Sequence, residues 1–422
     1  MNDKIKKVDM HKKPIKTRWY LWPILYLLVN CALIGCNYKI KKENFKKIKG
    51  GCLLLGTHMS FMDTKLLIKT IFPRRSYYVS SIDEFVYKEG LMRRLGCFPK
   101  KVHYTDMAIT RNIVRLLKNG NLVTIFPEAT YSFAGVPNMI DQGIGKLAKM
   151  ANVPIIVLKQ EGNYIRSPRW NVKPVNKKVP LRASAKMVVS KDELKTLSEE
   201  DILKRILDYF TYDEYKYQRD NNIHIKNKTM AFNIHRILYK CPHCLNEKTI
   251  VGKNNDIICT SCNAKYHIDE LSILSNVNGE SKFDSISKWY LWQKKFVIDD
   301  INNDKYEISF PVKISRLINC KKGFDHHYAL GHATQNSQGI FIDWVENKTQ
   351  EKGHYEYNCK ANSTIHLTFD VRGCQESAFE VHNKDETYLI YPLDETPIVK
   401  IRFAVEQAHI KYVNSLKENN KV

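Results

Sequence analysis

Two groups of residues in this chain could do chemistry. The first lies in "LLLGTHMSFMDTKLL", residues 53–67, where an apolar run stops at Gly56. His58 follows two residues later and Asp63 five residues after that. A carboxylate beside an imidazole accepts a hydrogen bond from one ring nitrogen, fixes the tautomer and leaves the other nitrogen to take a proton. That is a general base aimed at a hydroxyl. A histidine where a strand runs out also sits at the mouth of an α/β sheet, where ligands bind. The chain holds 14 histidines, so the pair taken alone competes with chance. The second group is Cys241 and Cys244 in "CPHC" with Cys259 and Cys262 in "CTSC", 14 residues apart. Each pair turns tightly enough to place two thiolates on one ion, and the spacing fits a closed, structural four-cysteine zinc site. Disulfides or free thiols are the plain alternative.

Downstream of His58 comes "LVTIFPEATYS", residues 122–132, a strand-like run ending at Pro127 and followed by Glu128. Then comes "VPIIVL", residues 153–158. The order and spacing of these blocks over roughly residues 50–160 resemble the glycerolipid acyltransferase family, which includes the lysophosphatidic acid acyltransferases. The resemblance implies that His58 deprotonates the acceptor hydroxyl, that Asp63 orients and stabilises the imidazolium, and that Glu128 belongs to the acceptor site. The hydroxyl would attack an acyl thioester on acyl carrier protein or coenzyme A. The oxyanion would need donors, expected from backbone N–H groups near the strand ends, and no catalytic cofactor is implied.

The chain departs from the family pattern where phosphate should bind. Ala129 stands for the family's Gly and Tyr131 for its Arg. The stretch "GCFPKKVHYTD", residues 96–106, carries no Arg. Lys100 and Lys101 are expected to serve there as point charges without the arginine fork. Arg111 is another substrate-binding candidate, and Arg166 and Arg169 lie further on. The bland reading of the lysine pair is an exposed loop, and of Glu128 a solvated turn acid.

The cysteine module resembles a zinc ribbon; His243 and His267 are unnecessary as ligands. Such ribbons often bind nucleic acid, but this one mixes Lys with Glu and Asp and has few aromatics to stack on bases. Nucleic acid is therefore disfavoured as a partner, and a structural or docking role is favoured. "FDHHYALGH" gathers Asp325, His326, His327 and His332, for which an exposed loop competes with a metal site.

The surrounding elements must position these groups. Residues 1–50 read as a basic membrane-binding arm. Residues 51–190 alternate strand-like and helical runs and read as the α/β acyltransferase domain. A helical extension covers 191–238 and the zinc ribbon 239–270. A linker covers 275–285, and from 286 to 415 comes a β-rich domain with a C-terminal helix, faintly similar to pleckstrin-homology-like or GRAM-like domains. The expected fold is thus a mixed-sheet α/β acyltransferase domain with an N-terminal membrane helix, a four-cysteine ribbon and a C-terminal β-rich domain.

Within the arm, "WYLWPILYLLVNCALIGC", residues 19–36, has no charge between lysine-rich flanks. As a helix it spans about 27 Å, just short of a ~30 Å bilayer core. Basic residues on both sides fit an element on an anionic cytoplasmic leaflet; spanning, entering, a secretory or lipoprotein signal ending at Cys36 and, as the bland reading, a buried core helix remain open. Eleven cysteines, seven of them scattered, and a net charge of +23 read as a reducing compartment and anionic partners. The expectation is an O-acyltransferase on the cytoplasmic face of a membrane. It would move a fatty acyl group from acyl-CoA or acyl carrier protein to a lysophosphatidic acid-like hydroxyl. A non-phosphate acceptor, or a non-catalytic lipid- or nucleic-acid-binding protein, is the alternative.

Overall fold

The apolar run before His58 is a central strand. In the computed structural model, which describes residues 9–10, 12–45, 48, 50–101, 106–140, 143–171, 173, 176–370 and 376–419, seven strands form the first sheet. They are β1 (Tyr38–Glu43), β2 (Cys52–Gly56), β3 (Ser76–Ser81), β4 (Cys97–Lys100), β5 (Leu122–Ile125), β6 (Ile155–Glu161) and β7 (Leu181–Val189). Their order is β1-β7-β6-β2-β5-β3-β4. All neighbours run parallel except β6 and β7, so the sheet is mixed. Strand β2 is buried at all five positions, as expected of a strand covered on both faces. Leu53 and Leu55 face a layer that includes α4 (Met107–Lys118), α5 (Gly143–Ala151) and α7 (Glu199–Phe210). Cys52 and Leu54 face α1 (Leu21–Ala32) and α2 (Met62–Ile71). Three short helices complete this part: α3 (Glu89–Arg94), α6 (Asn163–Arg166) and α8 (Glu214–Asp220).

The arm differs from its sequence reading. Among the described residues no helix is long and apolar enough to cross a membrane. Helix α1 has 12 residues, about 18 Å at the usual rise, and Gly35 at φ +74° turns the chain beyond it. The N-terminal membrane helix expected over 19–36 is therefore corrected to a short helix with Trp22 and Val29 buried on the sheet, and the spanning alternative is not supported. The lysine-rich stretch after it is also not a tail. Tyr38 and Ile40 alternate with exposed lysines and pair with Leu181 and Ala183 as an edge strand.

The cysteine module is a four-stranded antiparallel sheet of β8 (Ile250–Lys253), β9 (Asp256–Cys259), β10 (Lys265–Ile268) and β11 (Leu274–Asn276). The stretch read as a linker starts inside β11, and Phe283 is buried against Trp289, ring centroids 6.0 Å apart. Next comes a helix that strand patterning hid, α9 (Ile286–Asn302). The second large sheet is antiparallel, with β12 (Glu307–Asn319), β13 (Gly323–Asn336), β14 (Gly339–Glu346), β15 (Lys352–Asn358), β16 (His366–Phe369), β17 (Ser377–His382) and β18 (Thr387–Pro392). Their order is β15-β14-β13-β12-β18-β17-β16, and α10 (Ile398–Asn419) packs on α9 and on β16.

These parts do not hang on a flexible tether. One apolar cluster runs from Met59, Phe133 and Tyr164 through Cys241 and Trp289 to Phe369 and Ile401. Arg236 makes a two-pronged ion pair with Asp370, 2.7 and 2.8 Å. Lys101 Nζ donates to the carbonyls of Asn383 and Lys384 at 2.8 and 2.9 Å.

Candidate active site

His58 stands in the loop between β2 and α2, and Asp63 is in the first turn of α2. The Asp63 side chain is completely buried while that of His58 is 16% exposed. A buried carboxylate survives only with hydrogen-bond donors around it, and Asp63 has four. Its Oδ2 lies 3.2 Å from His58 Nδ1 and accepts from Met59 N at 2.5 Å and Ser60 N at 2.9 Å. Its Oδ1 accepts from Asn163 Nδ2 at 2.6 Å. The carboxylate assigns the proton to Nδ1 of His58 and leaves Nε2 as the basic nitrogen. It also sits at the positive end of α2.

Asn163 is a residue that sequence reasoning missed. It opens α6 just beyond β6, where Gly162 at φ +88° turns the chain. Its amide touches Gln160 Oε1 at 3.2 Å, while Gln160 N donates to Thr57 Oγ1 at 3.0 Å. The ends of β2 and β6, parallel neighbours, are tied together below His58. The sequence signal was the position of Asn163 two residues past the "VPIIVLKQE" strand, the same place relative to β6 that His58 holds relative to β2.

Glu128 differs from its expected place at the substrate. It is wholly buried, and its oxygens are occupied from inside. Oε1 accepts from His58 N at 2.9 Å; Oε2 accepts from Asn138 N at 2.8 Å and Tyr212 Oη at 3.0 Å. Burial pushes its carboxyl up to about 8, against the pull of those hydrogen bonds. Glu128 holds the His58 backbone; it is neither a solvated turn acid nor a substrate contact. Ala129, where the family pattern has Gly, adopts φ +57°, a left-handed conformation that glycine takes at less cost. The turn is retained although its preferred residue is gone.

The imidazole is framed by rings. Phe126 stacks on it at 4.4 Å between centroids, and Tyr131 at 4.0 Å. The guanidinium of Arg169 lies 5.0 Å over the Tyr131 ring and 4.2 Å over Phe61. His58, Phe126, Tyr131, Lys100 and Arg169 all line one cavity of about 820 Å³. Its apolar part runs between α4 and α5, past Ile109, Ile113, Ile144 and Leu147.

The other basic candidates are placed elsewhere. Lys101 is buried with its ammonium on carbonyls of the β17–β18 turn, so it is a tether between sheets. Arg111 is exposed on the outer side of α4, away from Ile109 and Ile113, because helical spacing turns it off the cavity face. The substrate-contact expectation is corrected for both. Arg166 is turned toward Lys177 O and Cys36 Sγ.

Sulfurs of Cys241, Cys244, Cys259 and Cys262 lie within 4.8 Å of one another, with Cys241–Cys262 and Cys244–Cys259 both at 3.7 Å. Those separations exceed a disulfide bond of about 2 Å and suit four thiolates around one metal ion. Among the described residues this is the metal-competent grouping; His326 and His332 are directed instead at Ser315 and Ser309.

Comparison with known proteins follows the same segment. Residues 38–158 match the model of the Acyltransferase family. A 1-acyl-sn-glycerol-3-phosphate acyltransferase of Bacillus subtilis (strain 168) is 25% identical over 138 residues, 32% of this chain and 68% of that protein. Among solved structures, the 1-acyl-sn-glycerophosphate (LPA) acyltransferase PlsC from Thermotoga maritima aligns at a TM-score of 0.38 and 16% identity, covering 45% of this chain and 77% of that one. The β2–His58–α2 segment and the sheet around it thus form an acyltransferase domain similar to that of the lysophosphatidic acid acyltransferases, and the protein is an acyltransferase.

Proposed function

We propose that the protein is a membrane-associated O-acyltransferase that moves a fatty acyl group from a thioester of coenzyme A or acyl carrier protein to the hydroxyl of a lysophospholipid. The observation that carries this reading is the His58–Asp63 pair on the wall of the large cavity. His58 Nε2 takes the proton of the acceptor hydroxyl while its oxygen bonds to the thioester carbonyl carbon. Asp63 stabilises the imidazolium, and Asn163 and the Met59 and Ser60 N–H groups hold the Asp63 carboxyl in place. The tetrahedral intermediate then expels sulfur, and the imidazolium returns the proton to the leaving thiolate.

Arg169 supplies the guanidinium that Tyr131 does not. Two aromatic faces hold it beside His58, the stacked arrangement arginine favours. Lys100 is a second cation on the same cavity. Membrane contact comes from the outer side of the arm: Trp19, Leu27, Leu28 and Ile34 are 74%, 63%, 61% and 79% exposed. These side chains suit insertion into an interface, with basic residues nearby for anionic lipid. Zinc suits the four-thiolate cluster, where it would hold the small sheet β8–β11 to α9 and take no part in transfer.

Acyl transfer in lipid micelles, with labelled acyl-CoA and a series of lysolipids, tests the reaction. His58→Ala abolishes product, Asp63→Asn lowers kcat about 10²–10⁴-fold, and Asn163→Ala lowers it about 10–100-fold. Full activity of His58→Ala rules the mechanism out. In the same assay Arg169→Gln raises KM for lysophosphatidic acid and not for monoacylglycerol; equal effects on both remove its phosphate role. The double variant Leu27→Glu/Leu28→Glu loses sedimentation with phosphatidylglycerol vesicles while keeping its melting temperature; unchanged sedimentation would place the membrane contact elsewhere. Metal analysis of the purified chain is expected to find one zinc per molecule, lost in Cys259→Ser with a drop in stability. A zinc-free chain of unchanged stability refutes the metal assignment.

A further inference from the structure

The cavity beside His58 has two owners. One side belongs to the acyltransferase sheet, and the other is built by the segment before β16 and by β16 itself, through Asn362, Ser363, Thr364, His366 and Phe369. The contact is fixed in place. Phe369 meets Phe133 edge to face at 5.0 Å, and Arg236 pairs with Asp370 at the end of β16. From α10, Arg402 Nη2 donates to Asn138 Oδ1, one residue from the His58–Glu128 hydrogen bond.

The polar atoms of this cavity are unevenly satisfied. Ser81 Oγ, Asp83 Oδ1, Thr130 Oγ1 and His366 Nδ1 are each shielded from solvent, and each has no hydrogen-bond partner within the protein. All four residues line the cavity. Buried polar atoms without partners are costly; these four are closed to water although their residues line the cavity, so a ligand supplies their partners once the side chains turn into the space beside them. Asp83 follows β3 and His366 opens β16, so they come from opposite sides of the boundary, and the charge of Asp83 is felt at His366. On its far side the His366 ring has Glu380 Oε2 3.9 Å from Nε2. Glu380 and His382 behind it are fully enclosed, which steadies the ring with Nδ1 left over.

We infer that the C-terminal β sheet is half of the acceptor site, and that Asp83 and His366 together bind an acceptor head group bearing O–H or N–H donors beyond its phosphate. A carboxylate only accepts hydrogen bonds, so Asp83 selects donors and repels a bare phosphate monoester. Asn362, Ser363, Thr364 and His366 add hydrogen-bonding groups and no fixed charge. The inference rests on the lysophospholipid acyltransferase reading and narrows its acceptor to lysolipids with a hydroxylated or amine-bearing head. Asp83 and His366 are specificity residues here, with no part in proton transfer.

The test uses the full chain with labelled acyl-CoA and four acceptors: lysophosphatidylglycerol, lysophosphatidylethanolamine, lysophosphatidylcholine and lysophosphatidic acid. The first two carry donors in the head group; the third is cationic without them. Asp83→Asn and His366→Ala are each expected to raise KM for the donor-bearing acceptors at least tenfold with kcat unchanged; for lysophosphatidic acid, Asp83→Asn removes the repulsion and lowers KM, while His366→Ala does not raise it. Activity on glycerol alone or ethanolamine alone identifies which donor is read. His366→Gln, which keeps a hydrogen-bonding group, restores part of the affinity, and Ser81→Ala gives a milder rise in KM without disturbing the domain boundary. Binding of the same lysolipids to the His58→Ala protein provides a readout that needs no turnover. His58-dependent transfer with no head-group-selective effect of Asp83→Asn or His366→Ala overturns the inference and leaves the acyltransferase reading standing. Absence of His58-dependent transfer to every acceptor, with equal binding of all four lysolipids, overturns both.

Discussion

A single buried carboxylate organises the acyltransferase half of the molecule. Asp63 is fully enclosed, and an ionised group in that position must be surrounded by donors or it forces the structure apart. The chain meets this demand with groups drawn from two places, the loop after β2 and the turn just beyond β6. Satisfying Asp63 therefore fixes the angle at which the chain leaves the central strand, the start of α2 and the register between β2 and β6. The imidazole is oriented as a by-product of solving a burial problem.

A second carboxylate repeats the device one layer away. Glu128 draws in the His58 backbone, the Asn138 backbone and the Tyr212 hydroxyl. The ring of His58 is thus set by Asp63 and its backbone by Glu128. Neither the ring nor the loop can shift without uncovering a buried acid. This explains why the β5 turn keeps its strained shape at Ala129. The Ser132 N–H donates to His58 O at 2.8 Å, and that contact closes the loop only if residue 129 turns through positive φ. A left-handed alanine costs about 1–2 kcal/mol, less than leaving these buried groups unpaired.

Much of this was legible in the sequence where chemistry and period coincide. His58, Asp63, the β2 and β6 runs, α4, α5 and the four cysteines each carry a local pattern that survives folding. The failures have particular causes. The alternation of Tyr38 and Ile40 with lysines was read as a charged flank, because edge strands and solvated tails share that composition. Helix α9 was missed since its Trp, Tyr, Phe and Val residues also suit strands. Lys101 and Arg111 were chosen for charge alone, and charge does not say which way a side chain points. Asn163 and His366 escape for another reason. Each meets residues 100 or more positions away, and the one hint in the sequence is the place of Asn163 just past β6.

The C-terminal sheet enters the site through the same logic of buried charge. In α10, Glu406 is fully enclosed, yet Lys294 and Arg402 hold its carboxyl at about 2 against the cost of burial. Its Oε1 also accepts from Thr364 Oγ1 at 3.0 Å, and Thr364 lines the cavity. Arg402 in turn reaches Asn138, whose N–H binds Glu128. One ion-paired cluster therefore underlies both walls, since it fixes the β16 segment directly and the His58 loop through Glu128. Separating the sheets would break the Arg402–Asn138 hydrogen bond and open the Arg402–Glu406 pair, both partners of which lie on α10, to water. With the shared apolar cluster added, separation is strongly disfavoured. The cavity is thus bounded by two sheets held at a fixed distance, and its shape belongs to their junction and to neither sheet alone.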